Sequence, residues 1–294
     1  MNRRQAVSKV APRRTRHSLR MQPILDIADL AHRRLAAEAV AEGNALFYAF
    51  GNFCALATKP DLASLRAMNA LKGRPRDQVG SVTTTPERAS HVFDWDQVQL
   101  PWGALVATMA DLHMLGPIGF RGPAAAHIPD HLTVVDEGVR TAQLISPGDE
   151  CPSNALVGEI LDLIGEEVLY ITSANTSSHV SKQIEAAHYE MRAIQREFGD
   201  HDDVTLIGHR NERANRRRYP HHLPCSTSIV AFHRGHLVLE RLGSLDARMI
   251  EQVANRHGLE LTIGATERVP VRRPGLPAFP RRRAHGTRRL RTRV

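Results

Sequence analysis

The spacing of apolar positions changes repeatedly along the chain, and each change predicts an element. Residues 24–41, "ILDIADLAHRRLAAEAVA", set Ile24, Ile27, Leu30, Leu35 and Val40 among charges at roughly helical spacing, with Gly43 as a stop. "NALFYAFGNFCALAT" is too dense in apolar and aromatic residues for a surface helix and predicts a strand and its continuation. Pro60 and Asp61 open a second helix with an apolar face of Leu62, Leu65, Met68 and Leu71; "KGRP" ends it. From 80 to 140 the pattern loosens into short strands and turns, punctuated by the Gly- and Pro-rich "GPIGFRGPAAAHIPDH".

Regular alternation then resumes. A helix is predicted over 153–165 with Ser153 or Asn154 as its N-cap, followed by a strand in "EEVLYITSAN" and an amphipathic helix from Ser181 to Phe198 with Gly199 as its stop. "DVTLIG", "CSTSIVAF" and "HLVLERLG" read as strands, and "DARMIEQVANRHG" as a closing helix capped by Asp246. Alternating elements of this kind predict an α/β or mixed α+β protein, with helices packed on a sheet.

Charge divides the chain of 294 residues more sharply than hydropathy does. The net charge of +8 suggests a polyanionic partner, but residues 1–20 hold seven Lys/Arg and residues 268–294 hold ten Arg, with no acid in either segment. The body from 21 to 267 keeps 22 basic against 31 acidic residues. The expected organisation is a basic disordered tail (1–22), one folded domain (23–262) and an Arg/Pro-rich disordered tail (263–294). Flexible arginine arms bind phosphates without reading sequence, which makes tRNA or double-stranded RNA a candidate partner; a solubilising extension has the same composition. No apolar run reaches the ~18 residues of a membrane span, and no secretory signal is evident, so a cytoplasmic location is expected. Cys54, Cys151 and Cys225 are odd in number and widely spaced, which argues against a disulfide framework or a thiolate metal site.

The candidate chemistry is carried by polar clusters at element ends. Lys72 and Arg74, separated by one glycine at a helix end, can aim two cations at one anion; basic residues there also complement the helix dipole. "TSAN", with Ser173 and Asn175, puts small polar groups at a strand's end, where open α/β sheets hold ligands, although an ordinary Ser/Asn turn has the same residues. Ser226 and Thr227 repeat this pattern before a strand. Hydroxyls without an adjacent histidine suit binding better than nucleophilic attack, so no catalytic side chain is assigned. The loop "HRNERANRRRYPHH" adds Arg210, Arg213, Arg216, Arg217 and Arg218, suited either to a phosphate chain or to a solvated charge run. The histidines show no ligand spacing, and no metal site is expected.

The series "ALKGRP", "GPI", "IPDH", strand plus "TSAN", "STSIV" and "LERLGSL", from about residue 40 to 245, resembles the YrdC-like family of threonylcarbamoyl-AMP synthases. The resemblance implies a YrdC-like twisted open sheet around a concave cavity. It implies ATP with Mg²⁺, bicarbonate and an amino acid as substrates, and a role in tRNA threonylcarbamoyladenosine modification. Lys72, Arg74, Ser173, Asn175, Ser226 and Thr227 would line the nucleotide cavity. Three departures accompany the likeness: Phe50 and Asn52 stand where the family's amino-acid turn has threonines, His127 replaces an arginine, and Ser178 replaces a loop glycine. The expected function is therefore a carbamoyl-adenylate-forming nucleotidyltransferase. The alternatives are an amine other than threonine, or a non-catalytic RNA-binding module with the same cavity.

Overall fold

The computed structural model describes residues 21–175, 190–223 and 225–264. Its order is β1 (Ile24–Asp26), α1 (Leu30–Glu42), β2 (Ala45–Phe50), β3 (Phe53–Thr58), α2 (Leu62–Leu71), β4 (Ser81–Thr83), α3 (Trp102–Leu115), β5 (Ile118–Pro123), β6 (Thr133–Asp136) and β7 (Val139–Ser146). There follow α4 (Ser153–Ile164), β8 (Leu169–Ser173), α5 (Met191–Phe198), β9 (Val204–Gly208), α6 (Glu212–Arg216), β10 (Ser228–Ala231), β11 (Leu237–Arg241), α7 (Ala247–Arg256) and β12 (Leu261–Ile263). The twelve strands form one mixed sheet in the order β1-β9-β2-β3-β8-β4-β7-β5-β10-β11-β12, with β6 added beside β7. The expected mixed α/β class is the one observed.

Period-two alternation sends the strand residues to two cores. Phe47, Cys54, Leu56, Val82, Phe120, Leu144 and Tyr170 face one side, where Leu65 and Met68 of α2 and Leu105 and Leu112 of α3 pack on them. Tyr48, Phe50, Ala55, Ala57, Leu169 and Ile171 face the other, covered by Ala36 and Val40 of α1 and by Leu156, Val157 and Ile160 of α4. Toward β7, β5 and β11 this second face is lined by polar side chains instead.

Local signals set many of the boundaries. Asp61 caps α2 by accepting from the Ser64 N–H at 2.8 Å, Asp246 caps α7 through the Arg248 N–H at 2.9 Å, and Gly165 ends α4 in the left-handed region. Several expectations need correction. Residues 24–26 are a strand, because Ile24 and Leu25 pair with Leu206 and Ile207 of β9; the helix waits for Asp29, whose carboxylate accepts from Ala31 and His32. The 80–140 stretch contains α3, whose sequence "WGALVATMADLHML" is apolar on nearly every side and so shows no amphipathic period. The cap position of α4 is Pro152, while the Asn154 amide donates to the Gly148 and Asp149 carbonyls. The helix predicted over 181–198 begins only at Met191, because Glu190 has extended backbone, and runs to Phe198 with Gly199 after it; residues 181–189, with Ser181, lie outside the described residues. All three cysteines are buried and none is in a disulfide. No helix among the described residues is long and apolar enough to cross a membrane.

Candidate functional site: an arginine-lined cavity on the sheet

The end of α2 and the end of β8 build one side of the site. Gly73 turns the chain with φ of +64°, which a side chain would resist, and the Arg74 N–H closes on the Asn69 carbonyl at 2.8 Å. Asn69 is buried, and its amide donates to the carbonyls of Arg76 and Gln78 at 3.1 and 3.0 Å, pinning the following loop. Tyr170 donates to Asn69 Oδ1 at 3.4 Å, and its ring closes on Gly80, where a Cβ would not fit. Arg74 is thereby delivered to the cavity while Lys72 turns inward. The fully buried Lys72 Nζ lies 3.3 Å from both Thr172 Oγ1 and Ser173 Oγ and donates to the Ser173 carbonyl. Burial, with the Arg74 charge beside it, pushes the Lys72 ammonium well below its ordinary pKa.

The far side comes from the junction of β10 and β11. Gly243 lies so close to the backbone of Ser226, Thr227 and Ser228 that a Cβ would collide with main-chain atoms. Its N–H donates to Ser228 Oγ at 3.0 Å, Ser228 donates to the Leu245 carbonyl at 2.9 Å, and the Ser244 N–H donates to the Ser226 carbonyl at 2.7 Å. Ser228 is thus consumed by the fold, whereas Ser226 and Thr227 face the cavity. Arg241 follows Thr227, donating to its carbonyl at 2.8 Å and its hydroxyl at 3.0 Å. Burial, with Arg121 nearby, pushes the Arg241 pKa down to about 10.

Between these walls lies a cavity of about 260 Å³. Arg74, Arg121 and Arg241 line it with Ser81, Thr141, Gln143, Thr172, Ser173, Ser226 and Thr227, and Phe53, Leu132, Ile145 and Ile171 supply apolar wall. No aspartate or glutamate is among its lining residues. Three guanidinium groups around an acid-free space with hydroxyls on its walls make a site for an anion.

The structure therefore brings Arg74, Ser173, Ser226 and Thr227 together on this cavity. Lys72 stands behind the wall, holding the end of β8. Asn175 is buried just past that end, its N–H on the Ser173 carbonyl at 3.1 Å, and does not line the cavity. Phe50 and Asn52 do not reach it either: Phe50 packs against Tyr48 and Phe53, and Asn52 donates to the Leu223 carbonyl at 3.0 Å. The five loop arginines are elsewhere. Arg210 pairs with Asp26 at 2.6 Å; Arg213, Arg217 and Arg218 are exposed on and after α6, and Arg216 is half-buried. Asn215 fastens this segment by donating to the Gly51 carbonyl at 2.8 Å. Ser178 and the two tails lie outside the described residues.

Arg121, Gln143 and Arg241 went unassigned in the sequence. "LERLGSL" contained the signal for Arg241, since its glycine marks a close backbone approach beside a strand-end arginine. Arg121 gave none, because its place on the cavity depends on β5 pairing with β7. Asp136, His233 and Glu240 bring ligand-type atoms within 4.8 Å of one another, but the Arg234 guanidinium already pairs with Asp136 at 2.6 Å and with Glu240 at 3.6 Å. The two acids of that cluster are engaged in an ion-pair network.

The fold is YrdC-like. A doubly substituted Sua5 from P. abyssi superposes with a TM-score of 0.61 at 18% identity, covering 83% of this chain and 66% of that one. P. abyssi Sua5 complexed with L-threonine gives 0.56 at 17% identity, over 79% of this chain and 59% of that one. YciO from E. coli gives 0.54 at 16% identity, over 78% of this chain and 98% of that one. The chain thus spans about two thirds or less of the length of the Sua5 proteins and nearly all of YciO. No family model matches the sequence, and no curated protein matches it.

Proposed function

We propose that the cavity binds ATP through its phosphates and supports formation of a carbamoyl adenylate, as expected of a divergent threonylcarbamoyl-AMP synthase. The observation that carries this reading is the grouping of Arg74 and Arg241 with Ser173, Ser226 and Thr227 around an acid-free cavity. At about 260 Å³ it lies at the small end of ligand sites, roughly 300–1,000 Å³, so it encloses part of an ATP molecule rather than all of it. With no carboxylate on the walls, Mg²⁺ would arrive on the phosphates as part of the substrate.

In this reading the amine nitrogen bonds to the bicarbonate carbon with loss of water, giving a carbamate whose oxygen attacks the α-phosphorus. The bond from that phosphorus to the bridging oxygen breaks, and pyrophosphate leaves with its electron pair. The protein contributes position and cationic stabilisation of the charge gathering on phosphate oxygens, with no side-chain nucleophile. Lys72, turned away and held by Ser173, supports the wall instead of meeting the ligand. Because Phe50 and Asn52 are used by the fold, the amine is not assigned as threonine. A pyrophosphate-release assay with ATP, bicarbonate and a panel of amino acids tests the proposal, run beside Arg74→Ala and Arg241→Leu. Release that depends on an amine and is lost in both variants is the expected result; no release with any amine would refute it.

The second reading, an RNA-binding module, is favoured by one observation: Arg213, Arg217 and Arg218 are exposed on a segment fastened to the hairpin tip by Asn215. It predicts RNA affinity that falls steeply with salt and whose salt slope shallows when these arginines are replaced.

A further inference from the structure

Both tryptophans of the chain stand where α3 begins. Trp95 is half-buried: its indole N–H donates to the Ser90 carbonyl at 2.8 Å, and its ring stacks on Phe232 with centroids 5.9 Å apart. Trp102 is 57% exposed and crosses Trp95 at 77° with centroids 4.7 Å apart, so the two rings meet as the sides of a corner. Along α3 the apolar surface continues at the four-residue spacing of one helix face, through Val106, Ala110 and Met114. All of these are exposed, Met114 by 73%. Contiguous apolar surface of this kind marks an interaction site.

Asp94 and Asp96 stand beside the corner. Asp94 receives the Gln97 amide at 2.6 Å, Asp96 is exposed, and no Lys or Arg pairs with either among the described residues. The Trp102 indole N–H likewise makes no hydrogen bond among the described residues. Aromatic walls, a spare N–H donor and an acidic rim suit a proline-rich segment that carries arginines. Proline rings lie on the indoles, the N–H takes a backbone carbonyl, and the carboxylates take guanidinium groups. The chain contains such a segment in "RRPGLPAFPRRR", residues 272–283, which lie outside the described residues. A polyproline II helix has three residues per turn, so Pro274, Pro277 and Pro280 would share one edge, ~19 Å long at ~3.1 Å per residue. The stripe from Trp102 to Met114 runs ~18 Å.

The segment begins within reach of the corner. The N–H of Gly264, after β12, donates to the Leu239 carbonyl of β11 at 3.1 Å, and β10 beside β11 leads into Phe232 beneath Trp95. Leu261, Leu239 and Phe232 belong to the same core, so β12 and the corner lie on one side of the sheet. Two inter-strand steps are ~10 Å, whereas the ten residues from Gly264 to Pro274 span up to ~33 Å when extended. We propose that residues 272–283 dock on the Trp95–Trp102 corner of their own chain, the prolines along the indoles and the α3 stripe and the flanking arginines at Asp94 and Asp96. This surface is separate from the sheet cavity and does not depend on what that cavity binds.

The test is tryptophan fluorescence of the full chain, in which Trp95 and Trp102 are the only tryptophan emitters. Acrylamide quenching is compared between the wild type and a variant carrying Pro274→Ala, Pro277→Ala and Pro280→Ala. Quenching is expected to rise about twofold in the variant, with emission moved to longer wavelength, because Trp102 loses its cover. A synthetic peptide of residues 268–284 added to that variant should reverse both changes. Asp96→Asn should weaken the peptide about threefold, through loss of one exposed ion pair. In a Trp102→Phe background the proline substitutions should change quenching little. If the proline variant fails to fold, Asp96→Asn in the wild-type chain carries the comparison, with quenching raised in the same direction. Equal quenching in the wild type and the folded variant would overturn the proposal. Protection of the wild type that disappears on dilution would overturn docking within one chain and assign the corner to the tail of a second copy.

Discussion

The C-terminal end of β8 and the tip of the β2–β3 hairpin lie on neighbouring strands, with Ala55 of β3 paired to Ser173 of β8. At the hairpin tip three polar groups of Gly51 and Asn52 are bonded within the protein. The Gly51 N–H faces Cys151 Sγ at 3.3 Å, its carbonyl accepts from Asn215, and the Asn52 amide donates to Leu223. At the β8 end, Thr172 and Ser173 receive Lys72 from one side and border the cavity on the other. Small polar residues at a strand end therefore mean different things according to where their remaining hydrogen-bonding capacity points. At the tip the groups act as a latch, and at the β8 end they form a wall.

Substitutions should separate the latch from the wall. The largest effect is expected for Gly51→Val, which places a branched side chain at φ of +55° and drives its Cβ into the Pro117 ring. A loss of about 3 kcal/mol or more is expected in urea unfolding, with nucleotide affinity unchanged in the protein that remains folded. Next comes acid. His222 is bonded through both ring nitrogens, to Ser244 Oγ at 3.0 Å and the Leu115 carbonyl at 2.9 Å, and burial holds its pKa down at about 4. Unfolding restores the ordinary value near 6.5, so the unfolded chain binds the extra proton first. The stability contributed by neutral His222 should be complete above pH 6.5 and fall progressively toward pH 4, seen as a declining Tm whose slope is reduced in His222→Asn.

On the wall, Arg74→Ala should weaken ATP binding about tenfold by calorimetry while shifting Tm little, since its guanidinium faces the cavity. The smallest effect belongs to the latch again: Asn52→Ala should cost about 1 kcal/mol of stability through one lost hydrogen bond and leave ATP affinity unaltered. A fall in affinity with Asn52→Ala, or a large Tm loss with Arg74→Ala, would break the distinction. Lys72→Met sharpens it from behind the wall. Because the buried ammonium's pKa is lowered, wild-type stability should rise with pH until the ordinary lysine value is reached, and the variant should lack that rise.

Much of the fold was legible wherever local chemistry decides the outcome. Asp61, Asp246 and Gly165 end helices by the groups they offer the backbone, and Arg74, Ser173, Ser226 and Thr227 line one cavity from the ends of their elements. What remained hidden depends on long-range pairing. Ile24–Asp26 has helical spacing but is claimed by β9, α3 is too uniformly apolar to show a period, and Arg121 joins the site only through its register with Gln143. Lys72 shows a further limit, since adjacency in the sequence to Arg74 could not reveal that the two side chains diverge at Gly73.

The order of the strands also governs how the protein is made. Ala45–Tyr48 of β2 pairs on one side with the hairpin partner that follows at once, but on the other side with Val204–Ile207. A nascent chain can form the hairpin early, yet its outer edge stays open until synthesis has passed residue 207, and β1 has no strand partner until then. The late arrival of β9 between them closes both edges at once, making its synthesis the step at which an apolar, exposed strand edge is withdrawn from competing chains.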